Sequence, residues 1–378
     1  MDNVTHSLFA LTMARTRLCR AGRGATVALV LSSNAPDIDI LATTRGALSY
    51  LQWHRGPTHG PLGVVGLGLV TAGLVWTGLC ATRGRGGDAS FGRLAGISML
   101  GVLLHVMMDV PTSYGTRLLS PFDWHWFAAD WMPILDVYLL VALAAGLYFG
   151  GRSDAARRRN VAIVLALMVA NYGIRGVAHH QAVTLAPRLY GPTLPERCAG
   201  STSAGSLLDR WPGDPFPTLP EPGRARCLVE VAAIPSFLSP FEWRVIARMS
   251  NAYETQEVNV LSPRMFAPAR EREVLWRLSS RYPDQWTPDA VSAATTRTGQ
   301  VFLGFSRFPL TRSFRDTGGV ITVRWSDLRF IGTWPLRPGM TMERGSGPSA
   351  GSRISRSLFS ATVRLDAQGR VLDERLGP

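Results

Sequence analysis

The run from Pro61 to Ala81 contains no charged residue and constrains the fold more than any other stretch of the chain. A transmembrane helix needs about 20 consecutive apolar residues, and this run is long enough to span a bilayer. Further apolar runs fall almost wholly within the first 180 of the 378 residues. The first half is therefore predicted to be an α-helical integral membrane domain, and the second half is predicted to be a separate domain.

The predicted membrane domain takes in residues 1–182 and has about six helical segments. They run over residues 4–18, 25–42, 61–81, 94–110, 131–151 and 160–177. The second segment is broken, because Pro36 cannot continue a regular helix and disfavours the helical state of Ala35. It carries the carboxylates of Asp37 and Asp39. Irregular backbone at membrane depth is tolerated where it lines a polar cavity, so we expect a polar site at this break.

The arginines of the first half indicate how the segments cross the membrane. All 40 basic residues are Arg, and the net charge is +13. They form no dense stripe with interleaved aromatic residues, so we predict membrane lipid as a partner and no nucleic acid. In the first half they cluster in alternate loops, which the positive-inside tendency places in the cytoplasm. We therefore predict a multi-pass protein of the cytoplasmic (inner) membrane, with both termini and the C-terminal half outside.

Potential metal ligands are confined to this membrane domain, since all seven histidines precede residue 181. The predicted topology brings polar residues that are distant in sequence to the outer membrane–water boundary. These residues are Asp2, His6, Asp37, Asp39, His54, His59, His105, Asp109 and Asp136. A mixture of imidazole nitrogens and carboxylate oxygens suits zinc best, and it also suits manganese or iron. The number of candidate ligands is enough for one or two ions.

His105 and Asp109 are four residues apart and share one face of a predicted helix. Ionisable residues inside a membrane segment suggest a functional site, although this pair could also simply hold a helix interface together. Asp109 is expected either to ligate the metal or to orient His105. Arg55 is expected to hold an anionic substrate group, although an arginine reaching toward the membrane interface is an equally compatible reading. Asp109 and Arg55 are thus the predicted catalytic residues.

Other polar and aromatic residues of the first half are expected to have structural roles. Asp123 and Asp130 are expected to cap helices, whereas Asp136 enters a span and needs a partner. The remaining histidines are expected at the membrane interface or in solvent: His125, His179 and His180. Three tryptophans suit the membrane interface: Trp124, Trp126 and Trp131.

The second half is predicted to be a Pro- and Gly-rich linker, residues 183–225, followed by a soluble β-rich extracytoplasmic domain, residues 226–378. Predicted strands cover residues 227–234, 243–249, 257–261, 301–308, 320–325 and 358–365, with one helix over 268–281 and a flexible loop over 345–352. Cys198 and Cys227 either form a disulfide or are two unrelated thiols.

Several short motifs resemble one known family when they are considered together. They are Met1-Asp2-x-x-Thr5-His6, Asn34-x-Pro36-Asp37-x-Asp39, His54-Arg55-Gly56-x-Thr58-His59 and His105-x-x-x-Asp109. In this order they resemble the membrane-bound predicted metal-dependent hydrolases of the LexA-regulated inner-membrane type. The resemblance covers about the first 180 residues and continues through Thr112–Thr116. It implies that the metal set is His6, Asp37, Asp39, His54, His59, His105 and Asp109.

These observations predict a metal-dependent hydrolase that acts at the outer face of the membrane through a metal-activated water. A site at that depth meets headgroups first, so we expect a lipid, or a lipid-linked or anionic ester or phosphoester, as substrate. The alternative is a metal-binding transport, sensing or envelope-assembly protein without hydrolytic activity. In a third interpretation the outer domain binds a partner and the membrane half only anchors it.

Overall fold

The computed structural model describes residues 1–16, 22–83, 90–151, 153–191, 194–198, 208–212, 226–263, 279–331 and 359–377. A helical first half is followed by a second half that is rich in β-sheet. Its α-helices are α1 (Asn3–Ala14), α2 (Ala25–Ser32), α3 (Ala47–Trp53), α4 (Pro61–Arg83), α5 (Phe91–Asp109), α6 (Val137–Tyr148), α7 (Asp154–Thr184) and α8 (Ala186–Tyr190). A 3₁₀ helix over Ala35–Arg45 lies between α2 and α3.

Three of these helices are long and apolar enough to cross a membrane, namely α4, α5 and α7. Helix α2 and the following 3₁₀ helix are bent by 41° at their break, and together they satisfy the same criterion. The predicted break at Pro36 is therefore present, and the described residues contain three or four candidate spans. Helices α1 and α6 have only 12 residues each. Six crossings remain a prediction.

Side-chain caps set the beginnings of several helices. The Asp2 carboxylate accepts a hydrogen bond from Thr5 N at the start of α1. The predicted segment 131–151 is wrong in its first part, because Asp136 caps α6 and the helix begins only at Val137. Ser153 caps α7, so this helix begins at Asp154, earlier than the predicted start at residue 160, and it continues to Thr184.

The described residues of the second half form two four-stranded antiparallel sheets, in each of which strands consecutive in sequence are hydrogen-bonded neighbours. The first consists of β3 (Leu228–Pro235), β4 (Glu242–Met249), β5 (Ala252–Asn259) and β6 (Ser280–Pro283). The second consists of β7 (Pro309–Arg315), β8 (Ile321–Asp327), β9 (Ser360–Leu365) and β10 (Val371–Leu376). Helices α9 (Pro288–Ala294) and α10 (Arg297–Phe305) connect the two sheets.

Some strand predictions in this half are corrected. Residues 301–305 belong to helix α10, which Thr296 caps by accepting a hydrogen bond from Gly299 N. The strand expected at 257–261 begins earlier, at Ala252, because β5 pairs along β4 from Tyr253 to Asn259. The helix predicted over 268–281 cannot include its last two residues, since 280 and 281 pair in β6. Residues 268–278 and the predicted loop 345–352 lie outside the described residues.

A short two-stranded sheet joins the two halves of the chain. Strand β1 (Trp126–Ala128) pairs with β2 (Asp209–Trp211), and the rings of Trp126 and Trp211 stack with centroids 6.1 Å apart. Trp126 is fully buried in a core shared with Phe302 and Phe305 of α10. The prediction that Trp126 lies at the membrane interface is therefore wrong, because tertiary packing against the second half covers it.

Two features fall in or beside the predicted linker. Residues 183–225 include α8 and β2, while many of the remaining positions lie outside the described residues. Cys198 and Cys227 form a disulfide, which decides between the two alternatives left open by the sequence.

Candidate metal centre

Four potential ligands from three separate parts of the chain converge in the first half. Asp37 lies in the 3₁₀ helix after the break, and His59 lies in the turn that precedes α4. His105 and Asp109 occupy successive turns at the end of α5. One ligand atom from each residue lies within 4.8 Å of all the others, so the cluster can hold a metal ion.

The distances between the ligand atoms suit a single cation. His59 Nε2 and His105 Nε2 are 3.2 Å apart, and each lies 3.5 Å from Asp109 Oδ2. Asp37 Oδ1 lies 3.8 Å from His59 Nε2 and 3.6 Å from His105 Nε2. Ligands about 2.0–2.2 Å from a tetrahedral metal are about 3.3–3.6 Å from one another. Three of these five distances fall within that range, and the other two, 3.2 and 3.8 Å, differ from it by at most 0.2 Å.

Both imidazoles have a hydrogen-bond partner at Nδ1. His105 Nδ1 lies 2.8 Å from the carbonyl oxygen of Ser33, which can only accept, so Nδ1 carries the proton and Nε2 presents a lone pair. His59 Nδ1 lies 3.0 Å from Thr58 Oγ1. Burial lowers the pKa of His59 well below its usual range, and the neighbouring His105 lowers it further. A neutral imidazole is the form that binds a metal.

Asp39 organises the turn that carries His59. Its Oδ2 accepts the backbone N–H of Arg55 at 2.7 Å, and its Oδ1 lies 3.1 Å from His54 Nδ1. Arg55 has a φ of 50°, an unusual backbone conformation for a residue other than glycine. The bond from its amide to Asp39 holds this conformation in place. Asp39 and His54 thus lie around the four-ligand cluster, with Asp39 Oδ2 3.7 Å from His59 Nδ1.

Arg55 extends from this turn to the end of α5. Its Nη2 lies 3.2 Å from Asp109 Oδ2, and its Nη1 donates to the carbonyl of Gly115 at 3.0 Å. Its guanidinium carbon lies 4.8 Å from the ring centroid of Tyr114. The side chain is only about 5% exposed, so its positive charge offsets the buried carboxylates of the cluster.

His6 lies beside the four-ligand cluster. Its ring stacks on that of His105 with centroids 3.8 Å apart, and its Nε2 lies 3.4 Å from Asp109 Oδ1. The amino nitrogen of Met1 also contacts Asp109 Oδ1. Both ring nitrogens of His6 are buried and make no hydrogen bond to the described residues. The structure therefore places all seven sequence-predicted ligands and Arg55 in one region, with four of them sharing a common centre.

Other predicted polar residues have partners of their own. Asp136 forms a buried ion pair with Arg175 at 2.6 Å. Asp130 does not cap a helix, because its carboxylate pairs with Arg307 at 2.6 Å. His179 is not simply solvated, since its ring packs against Trp243 with centroids 5.5 Å apart.

Sequence reasoning missed several residues that support the cluster. They include Ser33, Thr58 and Tyr114, and Arg329 in turn contacts the carbonyl of Tyr114. Thr58 and Tyr114 stand within the motifs quoted above, so their position beside predicted ligands was an available signal. Ser33 acts through its backbone carbonyl, and Arg329 is distant in sequence, so neither had a local signal.

On the side of Asp37, the cluster lies next to exposed apolar side chains. Asp37 is the most exposed of the four ligands, with 18% of its side chain accessible. Beside it along the 3₁₀ helix, Ile38, Ile40 and Leu41 are each more than half exposed. The cluster therefore opens toward a surface that carries several large apolar side chains.

Comparison with known proteins finds a family match in the first half of the chain. Residues 1–182 match the family model described as YdjM inner membrane protein. The Bacillus subtilis (strain 168) protein named "Uncharacterized protein YfhP" is 26% identical over 141 residues, which are 37% of this chain and 41% of that protein. The matched region thus spans less than half the length of this relative. No solved structure matches the chain significantly.

Proposed function

We propose that this chain, whose first 182 residues match the YdjM inner membrane protein family, is a membrane-embedded metal-dependent hydrolase. Its substrate would be a lipid or a lipid-linked ester or phosphoester, met at the outer face of the cytoplasmic membrane. The observation that carries the proposal is the buried cluster of Asp37, His59, His105 and Asp109. Two imidazoles and two carboxylates are a ligand set that hydrolytic metals use.

Zinc is the proposed metal, with manganese and iron as alternatives. Two nitrogen and two oxygen ligands, with distances of 3.2–3.8 Å between neighbouring ligand atoms, favour an ion with short bonds and few protein ligands. Such an ion lowers the pKa of a bound water and polarises an ester or phosphoryl oxygen. The four atoms describe one site, and a second ion remains a prediction that would involve His6 and Asp109 Oδ1.

The surrounding residues support the proposed ligands through hydrogen bonds. The Ser33 carbonyl fixes the tautomer of His105, and Asp39 fixes the turn that carries His59. Arg55 Nη1 and Nη2 are already engaged by Gly115, Thr112 and Asp109. Because of these contacts, we propose that Arg55 orients Asp109. This role differs from the substrate-binding role expected from sequence.

The proposed substrate class rests on the surface beside Asp37. Three apolar side chains of the 3₁₀ helix are exposed there, and Trp53 and Trp124 add two aromatic rings that are each at least 40% exposed. Exposed apolar residues next to a polar site suit a substrate with an apolar part and a polar, hydrolysable group. The placement of this surface in the outer leaflet depends on the predicted topology, which reporter fusions at residue 150 and at the C-terminus would test.

Metal-dependent turnover by the full-length protein in detergent tests the proposal. Purified protein would be stripped with a chelator, reloaded separately with Zn²⁺, Mn²⁺ or Fe²⁺, and assayed on p-nitrophenyl phosphate, p-nitrophenyl acetate and phospholipid micelles. We expect metal-dependent hydrolysis that is lost in His59→Ala and retained in His125→Ala. His125 is a suitable control because it pairs with Asp123 and is not among the four ligands. Absence of turnover with every metal and substrate would contradict the proposal.

A metal transporter or sensor is the second candidate, and the broken helix favours it. Discontinuous helices with carboxylates at the break are also used to bind transported ions. Metal uptake by proteoliposomes distinguishes the two functions. Flux that depends on Asp37, without hydrolysis of any ester, would favour transport.

A further inference from the structure

The segment from Thr112 to Gly115 is held by two buried arginines, one from each half of the chain. Arg55 contacts its two ends, with Nη1 3.3 Å from Thr112 Oγ1 and 3.0 Å from the Gly115 carbonyl. Arg329 contacts its middle, where Nη1 donates to the carbonyls of Ser113 and Tyr114 at 3.1 and 3.0 Å. The segment therefore links the second half to the arginine that pairs with Asp109.

Every donor of Arg329 has a partner, which makes this contact stiff. Nε and Nη2 bond to the carboxylate of Asp327, with the shortest distance 2.7 Å. Nη2 also donates to the carbonyl of Phe305 at 3.1 Å. Arg329 is 1% exposed. A planar guanidinium saturated in this way fixes the positions of the groups that accept its bonds.

Aromatic packing adds to the contact at Tyr114. The Tyr114 ring lies 5.3–5.9 Å from the ring centroids of Phe305, Phe330 and Phe359, all from the second half. The guanidinium carbon of Arg55 lies over the same ring, 4.8 Å from its centroid. The position of Arg55 thus depends on a ring that the second half packs in place.

We infer that Arg329 is a positioning residue for the metal centre, acting through residues 112–115 and Arg55 on Asp109. The inference rests on the proposed function, because it requires that Asp109 binds a metal. It assigns a role to the second half, which lies beyond the residues matched by the family. Arg55 Nη2 lies 3.2 Å from Asp109 Oδ2, the oxygen that faces both imidazoles, so a shift of the segment changes the direction of that ligand.

Cobalt binding to the full-length protein tests the inference without requiring turnover. Co²⁺ in a mixed nitrogen and oxygen site absorbs visible light, and its spectrum reports the coordination geometry. We expect Arg329→Lys, which keeps the charge and loses the planar fork, to weaken Co²⁺ binding about tenfold and to alter the spectrum. A binding constant and spectrum equal to those of the unsubstituted protein would overturn the inference.

Arg307→Lys is the matched control. Arg307 is also buried, also belongs to the second half, and also pairs with a residue of the first half, Asp130. It has no described contact with residues 112–115. A general weakening of the interface would affect both variants, whereas positioning predicts an effect of Arg329→Lys only. An equal change in both spectra would overturn the inference.

Two further results separate this inference from the proposed function. The protein could bind Co²⁺ with a spectrum that depends on Arg329 and yet hydrolyse no substrate. That result would contradict the proposed hydrolase activity, while the positioning role of Arg329 would stand. Protein that binds no metal would overturn both. If Arg329→Lys does not fold, Thr112→Val removes the hydroxyl near Arg55 at the other end of the same path. We then expect about threefold weaker Co²⁺ binding, and unchanged binding would overturn the inference.

Discussion

The Nε2 atoms of His59 and His105 lie 3.2 Å apart, and both side chains are buried, although the two residues are 46 positions apart in sequence. His105 Nε2 presents a lone pair, because its Nδ1 is bonded to a carbonyl. Two imidazole nitrogens this close need a proton or a cation between them, because facing lone pairs would repel each other. Two carboxylate oxygens within 3.8 Å of these nitrogens favour a cation.

Replacement of His105 should remove the metal. His105→Ala deletes a nitrogen that lies within 3.6 Å of three other ligand atoms, so we expect the bound metal of the purified protein to fall by at least tenfold. Elemental analysis of protein prepared without added chelator measures this directly. His125→Ala should retain the metal, and equal metal contents in the two variants would refute the site.

Metal removal should lower thermal stability. A ligand that binds only the folded state stabilises it by about 2.7 kcal/mol at a concentration 100 times its Kd. We expect chelation to lower the Tm of the unsubstituted protein and Zn²⁺ to restore it. His59→Ala should show neither effect, since His59 Nε2 is one of the four cluster atoms. A chelator effect of the same size in His59→Ala would point to a different metal site.

Gly60 should not tolerate a side chain. A Cβ at this position would lie 1.8 Å from the carbonyl oxygen of Ser120, so Gly60→Ala must displace the backbone next to His59. We expect a loss of about 1–3 kcal/mol in stability together with weaker metal binding. Gly66→Ala, in helix α4 that follows Gly60, meets no atom within 4 Å and should leave metal binding unchanged and stability unchanged or slightly improved. Equal effects would contradict the proposed close contact.

The buried ion pair between Asp136 and Arg175 should contribute strongly to stability. Both side chains are fully buried, and Arg175 Nη2 lies 2.6 Å from Asp136 Oδ2. Asp136→Ala leaves the buried arginine without its carboxylate partner, so it should lower the free energy of unfolding by about 3–5 kcal/mol. The exposed pair of Asp154 and Arg157 at 3.9 Å is the comparison, and Asp154→Ala should cost at most about 1 kcal/mol. Denaturant unfolding in detergent measures both. Similar losses would show that burial of the first pair has no energetic consequence.

Stability should depend on pH through Asp284 in the second half. Burial raises the pKa of Asp284 to about 6, even though Thr311 N donates a hydrogen bond to its Oδ1. Between about pH 4 and 6 the folded protein keeps a proton that the unfolded chain releases, since an unperturbed aspartate has a pKa of about 3.9. The free energy of unfolding should therefore fall by up to about 3 kcal/mol as the pH rises through this window.

Substitution of Asp284 isolates its contribution to this pH dependence. Asp284→Asn should flatten the slope between pH 4 and 6, whereas Asp289→Asn on the surface of α9 should keep it. Unfolding curves collected across this range give the slope for each variant. An unchanged slope in Asp284→Asn would assign the pH dependence to another group.

Much of the first half could be predicted from sequence because its signals are local. The apolar runs identified α4, α5 and α7 as long membrane-compatible helices, and Pro36 marked the break before Asp37. Local signals were misleading where tertiary packing decided the outcome. Residues 301–305 have the composition of a strand, yet a Thr296 cap and burial of Phe302 and Phe305 favour a helix there.

The apolar helices, the break and the identity of the candidate ligands could be predicted from the amino-acid sequence, because each depends on residues that are close in sequence. The convergence of four of those ligands on one centre, and the pairing of Asp136 elsewhere, result from tertiary packing. The contact of Arg329 with the segment beside Arg55, more than 200 residues earlier in the chain, has the same origin. Contacts between distant residues depend on how helices and sheets pack, and a single sequence carries no local pattern that records them.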